Sequence, residues 1–437
     1  MKLRVRYIFL VSCLLIFLVA LFFLNPESAT CRDCNVVLIS VDTLGSDHMG
    51  LYEYFRNTTP FLDSFSKNGL IFENSYSADS YTLPSHMSIF TSLYPSEHLV
   101  GKNNFNFTLN PNDTTLTEIL KSHGYSTGAI VSLPYLSSYY GYSRGFDFYN
   151  EDALQNTSDR KADVINQAAF NWVQQNEGKK FFLFLHYSEV HSRWLLPKEY
   201  YNLYNPESSE MWNTSSDELD KLNLTQDQLK NPVAIYDGSV NFIDKTIGNV
   251  VDFLQQKNLA GKTIIIITAD HGEEFDEHGR IGHGHGVYQE VIRVPLIIVY
   301  PHGKRGVVQD FASGIDIAPT VLNLLGLPVP PQFEGQSLIN PHRNFVISEY
   351  NSLATLIQNN SKIIVNSDNS GIEFYNLSSD PKELASINDS KLYVQYDSFL
   401  SGKMQNFEQQ SKIYGGMPDA KNFDASLIKH LRELGYV

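Results

Sequence analysis

The sequence predicts an α/β fold with a mostly parallel central sheet, followed by a small antiparallel sheet subdomain. Five short apolar runs alternate with helix-like stretches, and runs that are apolar throughout are typical of strands buried on both faces. Alternation of strands and helices predicts a doubly wound sheet covered by helices. The predicted strands are Val36 to Val41, Thr127 to Ser132, Phe181 to Tyr187, Thr263 to Thr268 and Val294 to Tyr300.

Helices between these strands are indicated by capping residues and by apolar spacing. Thr59 can cap a helix that has Pro60 at its first position and Gly69 near its end. A second helix is predicted from Thr82 through Tyr94, with Pro84 in its first turn. A third has apolar residues on one face, namely Tyr236, Val240, Ile243, Ile247, Val251 and Leu254.

The C-terminal part of the chain has a different pattern. From Asn344 onward the apolar runs are shorter and alternate with polar residues, as in Lys362 to Val365 and Ile372 to Leu377, which predicts an antiparallel sheet. A short helix is predicted over residues 425–434, and the polar stretch 205–231 is expected to be a surface insertion. The expected domains are a catalytic domain, residues 35–338, and a C-terminal subdomain, residues 339–437.

The N-terminal residues are typical of a membrane-targeting segment. Lys2, Arg4 and Arg6 precede an apolar run over residues 7–24. This run is close to the roughly 20 residues that a membrane-spanning helix needs, and longer than the roughly 7 to 15 of a signal-peptide core. We therefore favour an uncleaved signal-anchor over a cleaved signal peptide.

An anchor of this kind predicts the topology of the whole chain. The basic end, residues 1–6, is expected in the cytoplasm, because positive charge flanks the apolar run on one side only. A linker over residues 25–34 then leads to a catalytic domain outside the cytoplasm, either periplasmic or extracellular. A secreted protein is the alternative.

The charge balance argues against a nucleic-acid-binding surface. The chain has 33 Lys+Arg against 48 Asp+Glu, a formal net charge of -15. Neutralising nucleic-acid phosphates needs clustered Lys and Arg, which this composition does not favour. An anionic substrate must therefore be held by a metal ion or by local dipoles.

Polar side chains follow the predicted strands, where the active sites of such sheets lie. Asp42 ends the first strand and can ligate a metal, although a lone carboxylate there is more often a helix cap. Thr82 is placed at the start of a helix, where free amides and the positive helix end suit an anion. The alternative for Thr82 is a plain N-terminal cap.

The segment IIIITADHGEEFDEHGRIGHGHG is the densest cluster of such residues. Asp270 and His271 follow directly on a buried strand and form a credible oxygen and nitrogen site for a divalent cation. His283 lies in the glycine-rich loop that follows. The acidic residues of this segment are expected to form a solvated face rather than to ligate a metal; they are Glu273, Glu274, Asp276 and Glu277.

Another strand end contributes two histidines. His186 and His191 occur in FFLFLHYSEVHSRW, and either alone is more often a hydrogen-bonded structural residue. His191 lies beyond the predicted strand, on the side where the other clusters converge. It is therefore the better candidate for the site.

Together these segments resemble the sulfatase family of the alkaline phosphatase superfamily, over residues from Asn35 to about Leu384. Each segment alone is weak evidence for the resemblance, but their order and spacing together make it strong. They are NVVLISVDTLGSDHMGLY, NTTPFLDSFSKNGLIFENSYS, YTLPSHMSIFTSLYPSEH, FFLFLHYSEVH, TIIIITADHGEEFDEHG followed by GHG, YQEVIRVPLII, GIDIAPTVLNLLGLPVP with EGQSL, and EFYNLSSDPKE.

The resemblance implies an alkaline-phosphatase-like α/β/α sandwich and an ester hydrolase with a metal-held nucleophile. Asp42, Thr82, Asp270 and His271 match the metal shell, with Thr82 at the nucleophile position. The positions that contact the anion or the leaving oxygen are matched by His191 and His283. The position of an arginine that supports the nucleophile in many sulfatases is matched by His86.

Two departures from the family pattern bear on the chemistry. Thr43 stands where ordinary sulfatases have a second metal-binding Asp, so the family's calcium is not assured, and the shell is similar to those of phosphonate monoester hydrolases and lipoteichoic-acid-synthase-type enzymes. Ordinary sulfatases also convert a Cys to formylglycine, whereas this chain has Thr82. No formylglycine is expected, and the single divalent ion is Mn, Zn, Ca or Mg.

These residues predict a metal-dependent hydrolase or transferase that acts on a phosphate ester or diester through a covalent Thr82 intermediate. The expected substrate is a small or a glycan- or lipid-linked anionic ester. One alternative is a true sulfuric ester hydrolase, arylsulfatase-like, that works without formylglycine. Another is a non-catalytic sulfatase-like binding protein.

Overall fold

The computed structural model describes most of the chain from Cys31 to Ile387. The described residues are 31–102, 107–152, 161–191, 196–204, 220–222, 224–366, 371–387 and the single residues 400, 402 and 409. Within them lie an eight-stranded sheet, a separate four-stranded sheet and a two-stranded ribbon. The predicted α/β class and the small second sheet are therefore confirmed.

The strands are numbered in chain order. They are β1 Asn35–Val41, β2 Leu70–Tyr76, β3 Ser126–Ile130, β4 Phe148–Asn150, β5 Phe181–Tyr187, β6 Thr263–Ala269, β7 Glu274–Phe275, β8 Ile281–Gly282, β9 Leu296–Val299, β10 Gly306–Ser313, β11 Phe345–Tyr350, β12 Leu353–Gln358, β13 Ser361–Asn366 and β14 Ile372–Asn376.

The α-helices of the described residues are numbered in the same way. They are α1 Pro60–Phe65, α2 Thr82–Thr91, α3 Pro95–His98, α4 Leu116–Ser122, α5 Ala162–Gln175, α6 Lys198–Tyr201, α7 Gln226–Gln256, α8 Gln289–Ile292 and α9 Ile317–Leu325. The helix predicted from Thr82 begins there and ends at Thr91, three residues before the expected end. The helix predicted around Tyr236 is longer than its apolar stripe, because a capping box at Thr225 starts it.

The order of strands in the large sheet is β10-β2-β9-β6-β1-β5-β3-β4. Strand β1 lies at the centre and pairs in parallel with both β5 and β6. Strand β9 is antiparallel to both of its neighbours, β2 and β6, so the sheet is mostly and not wholly parallel. The carboxyl ends of β1, β5 and β6 therefore meet at one edge of the sheet.

Three strands of the large sheet were not predicted from the sequence, namely β2, β10 and the three-residue edge strand β4. Strand β2 reads LIFENSY and mixes buried and half-buried residues, and β10 reads GVVQDFAS and is mostly exposed until its last two residues. Both lack the continuous apolar run that marks the central strands, because β10 is an edge strand and β2 lies beside it.

Apolar cores lie on both faces of the large sheet. One contains Val36, Leu38 and Phe184 with α9, and the other contains Val37, Ile39 and Leu183 with α5 and α7. Neighbouring residues of β1 thus alternate between the two cores, as the pleat of a strand requires. This arrangement is the α/β/α sandwich that the family resemblance implies.

The small sheet is an antiparallel meander of β11 to β14. A bridge between Asp79 and Glu349 joins it to the segment before α2. The small sheet therefore packs beside the start of the helix that carries Thr82. The boundary at residues 338 and 339 stays a prediction.

Several predictions fall on residues that lie outside the described ones. These are the apolar run 7–24, most of the insertion 205–231 and the C-terminal helix 425–434. Among the described residues, no helix combines the length and the apolar character needed to cross a membrane.

Candidate active site

The site is assembled by the carboxyl ends of two central strands. Val41 of β1 pairs with Ala269 of β6, so the residues that follow, Asp42 and Asp270, emerge side by side. With His271 they form a fully buried group whose ligand atoms all lie within 4.8 Å of one another. The structure therefore brings together three of the four residues that are predicted as metal ligands.

Thr82 joins this group from the first turn of α2. Its Oγ1 lies 3.4 Å from Asp42 Oδ2 and 3.2 Å from His271 Nε2. The N-cap of α2 is Tyr81, and no side chain makes a capping hydrogen bond there. The alternative that Thr82 is only a helix cap is therefore not supported.

Backbone contacts fix the orientation of the Asp270 and His271 side chains. Asp270 Oδ1 accepts hydrogen bonds from the amides of Thr43 and His271, at 3.1 and 2.9 Å. His271 Nδ1 lies 2.9 Å from the carbonyl oxygen of Gly272, and because a carbonyl only accepts, Nδ1 carries the proton. His271 Nε2 then presents a lone pair to the Thr82 hydroxyl.

Two backbone features make this geometry possible. Thr43 has a φ of 59°, a left-handed conformation that is uncommon for a β-branched residue, and this conformation accompanies the amide contact to Asp270. At Gly272, a Cβ atom would lie 2.0 Å from the carbonyl oxygen of Glu290. Only glycine fits beside His271.

The charge of the site fits a bound cation. Asp42 and Asp270 are fully buried, and Asp42 Oδ1 and Asp270 Oδ2 have no hydrogen-bond partner. Within the described part of the chain, neither carboxylate is paired with a Lys or an Arg; the nitrogen atoms that contact them belong to imidazole rings. Buried carboxylates need compensation, and a divalent ion would provide it.

The two carboxylates differ in their electrostatics. Burial, and then the charge of Asp270, raises the pKa of Asp42 well above its usual range. Burial also acts to raise the pKa of Asp270, but electrostatic interaction with His271 and then with His86 outweighs burial, and the pKa is lowered. The protein thus stabilises the negative charge of Asp270 and not that of Asp42.

His86 and His186 lie behind the carboxylates, with ring centroids 5.0 Å apart. His86 Nδ1 lies 2.9 Å from the carbonyl oxygen of Thr82, so His86 supports the residue at the nucleophile position, as the resemblance implies. Burial lowers the pKa of each ring to about 4, so both are neutral near pH 7.

His283 and His191 lie next to one another at the mouth of the site. The His283 ring centroid is 4.4 Å from that of His271 and 5.2 Å from that of His191. His283 Nδ1 lies 2.8 Å from Glu273 Oε2. The two histidines predicted to contact the anion or the leaving oxygen are therefore placed beside Thr82 and its partners.

The expectation of a solvated acidic face in the Asp270 segment is wrong for two of its four residues. Glu273 and Glu274 are only 2% and 1% exposed. Glu273 contacts His283, and Glu274 Oε1 accepts the amides of His278 and Arg280. Each carboxylate has a specific partner, because the loop folds back on itself through β7 and β8.

Tyr81 lies beside the candidate site and was not predicted from the sequence. It lines a small cavity of about 50 Å³ with Asp79, Pro84, Gly101, Tyr350 and Asn351. Its ring lies 5.9 Å from that of His283, and its hydroxyl lies 2.9 Å from the hydroxyl of Tyr135. A Tyr at an N-cap, where small polar residues are preferred, is the signal that points to it.

Comparison with known proteins shows the family to which the chain belongs. The Sulfatase family model matches residues 34–327, more than half of the chain. Arylsulfatase K of Bos taurus is 26% identical over 426 residues, which cover 81% of this chain and 78% of that relative.

Two solved structures share the fold. The phosphonate monoester hydrolase of Agrobacterium radiobacter superimposes with a TM-score of 0.71 at 18% identity, covering 86% of this chain and 96% of that one. A protein solved in complex with its substrate D-glucosamine-2-N,6-O-disulfate has a TM-score of 0.64 at 20% identity, with 90% and 100% coverage.

The fold and the family match together define a metal-dependent ester hydrolase of the alkaline phosphatase superfamily. The chain belongs to the sulfatase family. Members of this family use a divalent metal, and the group of Asp42, Asp270 and His271 is a candidate site for it.

Proposed function

We propose that this protein cleaves a phosphate ester or phosphodiester through a covalent phospho-Thr82 intermediate. The observation that carries the proposal is the position of the Thr82 hydroxyl, 3.2 Å from His271 Nε2 and 3.4 Å from Asp42 Oδ2. A hydroxyl is a weak nucleophile until a neighbouring group takes its proton. Asp42 Oδ2 is placed to accept that proton.

A divalent ion held by Asp42, Asp270, His271 and Thr82 would neutralise charge on the phosphoryl oxygens and lower the pKa of the Thr82 hydroxyl. The amides at the start of α2 add positive potential on the same side, because the helix begins at Thr82. The site therefore suits a dianionic or monoanionic phosphoryl group.

In the first half of the reaction, Thr82 Oγ1 bonds to phosphorus and its proton passes to Asp42. The bond from phosphorus to the leaving oxygen breaks, and that oxygen takes a proton from His191 or His283. The Glu273 carboxylate, 2.8 Å from His283 Nδ1, stabilises the protonated imidazole that this step requires.

In the second half, the same imidazole takes a proton from water, and the water oxygen bonds to phosphorus. The bond from phosphorus to Thr82 Oγ1 breaks, and Asp42 returns the proton to Thr82. The net reaction adds one water across the ester bond. If an alcohol replaces the water, the same steps make the protein a transferase.

The nucleophile favours phosphorus over sulfur. Formylglycine hydrate releases sulfate by elimination through its second hydroxyl, and a sulfated Thr has no second hydroxyl. A phosphorylated Thr is hydrolysed by direct attack of water at phosphorus. A threonine at this position is therefore better matched to a phosphorus ester.

The second candidate is a sulfuric ester hydrolase that works without formylglycine. It is favoured by the relatives, which carry the name arylsulfatase, and by the neighbour solved with a sulfated glucosamine. In that case the sulfated Thr82 would have to be hydrolysed by attack at sulfur.

An assay of the purified full-length protein separates these candidates. Matched aryl phosphate, phosphodiester, phosphonate and sulfate esters are compared with Mn, Zn, Ca and Mg in turn. The proposal expects the fastest turnover with a phosphorus ester and a phosphorylated Thr82 peptide after rapid acid quench. A sulfated Thr82 peptide would favour the second candidate.

Variants of Thr82 test the covalent step directly. Thr82→Ala is expected to lower turnover by at least about 10³-fold, because no other hydroxyl replaces the nucleophile. Thr82→Ser keeps the hydroxyl and should retain measurable activity. An active Thr82→Ala protein would overturn the mechanism, and no turnover or adduct with any ester would favour a sulfatase-like binding protein.

We also propose that residues 7–24 anchor the protein with its catalytic domain outside the cytoplasm. The support is the sequence itself, with Lys2, Arg4 and Arg6 on one side of the apolar run. Protease added to intact cells or spheroplasts should cleave the catalytic domain. Cleavage only after lysis would contradict this topology.

A further inference from the structure

Two groups of buried side chains with metal-binding atoms overlap at the active site. One is Asp42, Asp270 and His271, and the other is His86, His186 and Asp270. They share Asp270, and His186 Nε2 lies 3.5 Å from Asp42 Oδ2, so the two groups form one continuous cluster. The two histidines of the second group differ in whether they have a lone pair to offer.

His86 has none, because both of its ring nitrogens are used. Nδ1 lies 2.9 Å from the carbonyl oxygen of Thr82, which only accepts, so Nδ1 carries the proton. Nε2 then accepts from the hydroxyl of Ser40, which lies 2.9 Å away. His86 is held between α2 and β1 and acts as a positioning residue.

His186 is different, because its Nε2 has no hydrogen-bond partner although the side chain is fully buried. Its Nδ1 lies 2.7 Å from Ser132 Oγ, which fixes the ring and can accept the Nδ1 proton. This leaves a lone pair on Nε2. A buried nitrogen without a partner costs stability, so its retention requires an explanation.

The strand register explains how His186 reaches the cluster. His186 pairs with Ser40 of β1, two residues before Asp42, and lies one residue before the end of β5. It therefore approaches the two carboxylates from the neighbouring strand. Thr43, which stands where ordinary sulfatases have a second carboxylate, uses its amide on Asp270 and its hydroxyl on the carbonyl oxygen of Asp42.

We propose that His186 is an additional ligand of the ion held by Asp42, Asp270 and His271, in place of the carboxylate that Thr43 does not supply. The inference rests on the proposed function, which requires an ion at these residues. Three atoms without partners then share one cation: Asp42 Oδ1, Asp270 Oδ2 and His186 Nε2.

A second histidine ligand would affect which metal ion the protein binds. A shell with two imidazoles and two carboxylates favours Zn, Mn or a similar transition metal, whereas calcium and magnesium prefer oxygen ligands alone. The protein should therefore select Zn or Mn over Ca.

The first test measures metal binding and not activity. Full-length wild type and His186→Gln are stripped with chelator, and Zn, Mn and Ca affinities are measured by competition and elemental analysis. The variant is expected to bind Zn at least about 100-fold more weakly, because losing even an outer partner of a metal ligand lowers metal affinity by about 10–100-fold. The loss of Ca affinity should be much smaller. His98→Gln is the matched control, because His98 is equally buried but contacts Ser88 and Val100.

The second test needs no variant. X-ray absorption of the Zn-loaded wild type should count two imidazole ligands. One imidazole, or unchanged Zn affinity in a folded His186→Gln protein, overturns the assignment of His186 and leaves the proposed function intact. A wild type that binds none of the three ions at these residues overturns the proposed function itself.

Discussion

Two buried polar clusters include residues of the Asp270 segment, and their charges are compensated in different ways. The cluster at the candidate active site, called the catalytic cluster, consists of Asp42, Asp270, His271 and His186, and among the described residues no Lys or Arg pairs with its two carboxylates. The subdomain cluster consists of His278, Glu290, Lys362 and Glu383, and in it opposite charges lie in contact. His278 Nδ1 is 2.6 Å from Glu290 Oε1, and Lys362 Nζ is 2.5 Å from Glu383 Oε1.

Proximity of possible ligand atoms does not by itself distinguish a metal site from a structural cluster. Glu274, His278 and Glu290 also lie close enough together to hold a metal ion. There, however, His278 uses both ring nitrogens, since Nε2 lies 3.2 Å from the carbonyl oxygen of Glu383, and Glu274 Oε1 accepts two amides. The carboxylates of the subdomain cluster are compensated by His278 and Lys362, whereas the two carboxylates of the catalytic cluster have no Lys or Arg beside them and fit a bound cation.

The largest effect is expected at the catalytic cluster. Asp42→Asn should lower turnover by at least about 10³-fold, because it removes a proposed ligand and the proton acceptor of Thr82. The metal-free variant should be as stable as wild type or up to about 1 kcal/mol more stable, because the change removes one of two adjacent buried carboxylates. Urea unfolding in the presence of chelator measures the second effect, and a clear loss of stability would contradict the proposed contrast.

The next largest effect is expected in the subdomain cluster, with the opposite sign of stability change. Lys362 is fully buried, so Lys362→Met should lower the free energy of unfolding by about 3–5 kcal/mol by leaving Glu383 unpaired. Activity per folded molecule should stay within about threefold of wild type. Adding Glu383→Gln should recover most of the lost stability.

A surface pair provides the control for that prediction. Lys230 lies 2.7 Å from Asp227, but both side chains are exposed. Lys230→Met should change the free energy of unfolding by less than about 0.5 kcal/mol. Equal losses for Lys230→Met and Lys362→Met would show that burial of the Lys362 pair is unimportant.

The smallest effect is a pH dependence that arises from His278. Burial alone would lower its pKa, but the hydrogen bond and charge of Glu290 raise it to about 9, with further contributions from the Glu383 carbonyl and from Glu274. A raised pKa means that the stabilisation is fully present below the unfolded pKa of about 6.5 and is lost as the pH rises through about 9.

His278→Gln should therefore flatten the stability profile between about pH 6.5 and 9. The difference is expected to be about 1 kcal/mol, because solvent partly screens the pair of His278 and Glu290. Unfolding free energies of both proteins across this range measure it. A wild-type profile that matches the variant would show that His278 is not charged by its neighbours.

The central part of the fold was predictable from the sequence because its strands are buried on both faces. Such strands have no polar positions, so Asn35–Val41, Phe181–Tyr187 and Thr263–Ala269 stand out as continuous apolar runs. The strands Leu70–Tyr76 and Gly306–Ser313 were missed because both runs contain polar residues, the second being an edge strand and the first its neighbour. The edge strand Phe148–Asn150 was missed because it has only three residues.

The sequence by itself determined which residue types follow the strands, and it predicted Asp42, Asp270 and His271 at one edge of the sheet because parallel strands end at a common edge. Thr82 was added to this group through the resemblance to the sulfatase family. Only the tertiary structure decided which atoms of these residues and their neighbours are satisfied. The roles of His86 and His186 depend on hydroxyl and carbonyl groups of Ser40, Thr82 and Ser132, which come from three separate segments. Hydrogen-bond satisfaction is a property of groups brought together by folding, so no local pattern of sequence specifies it.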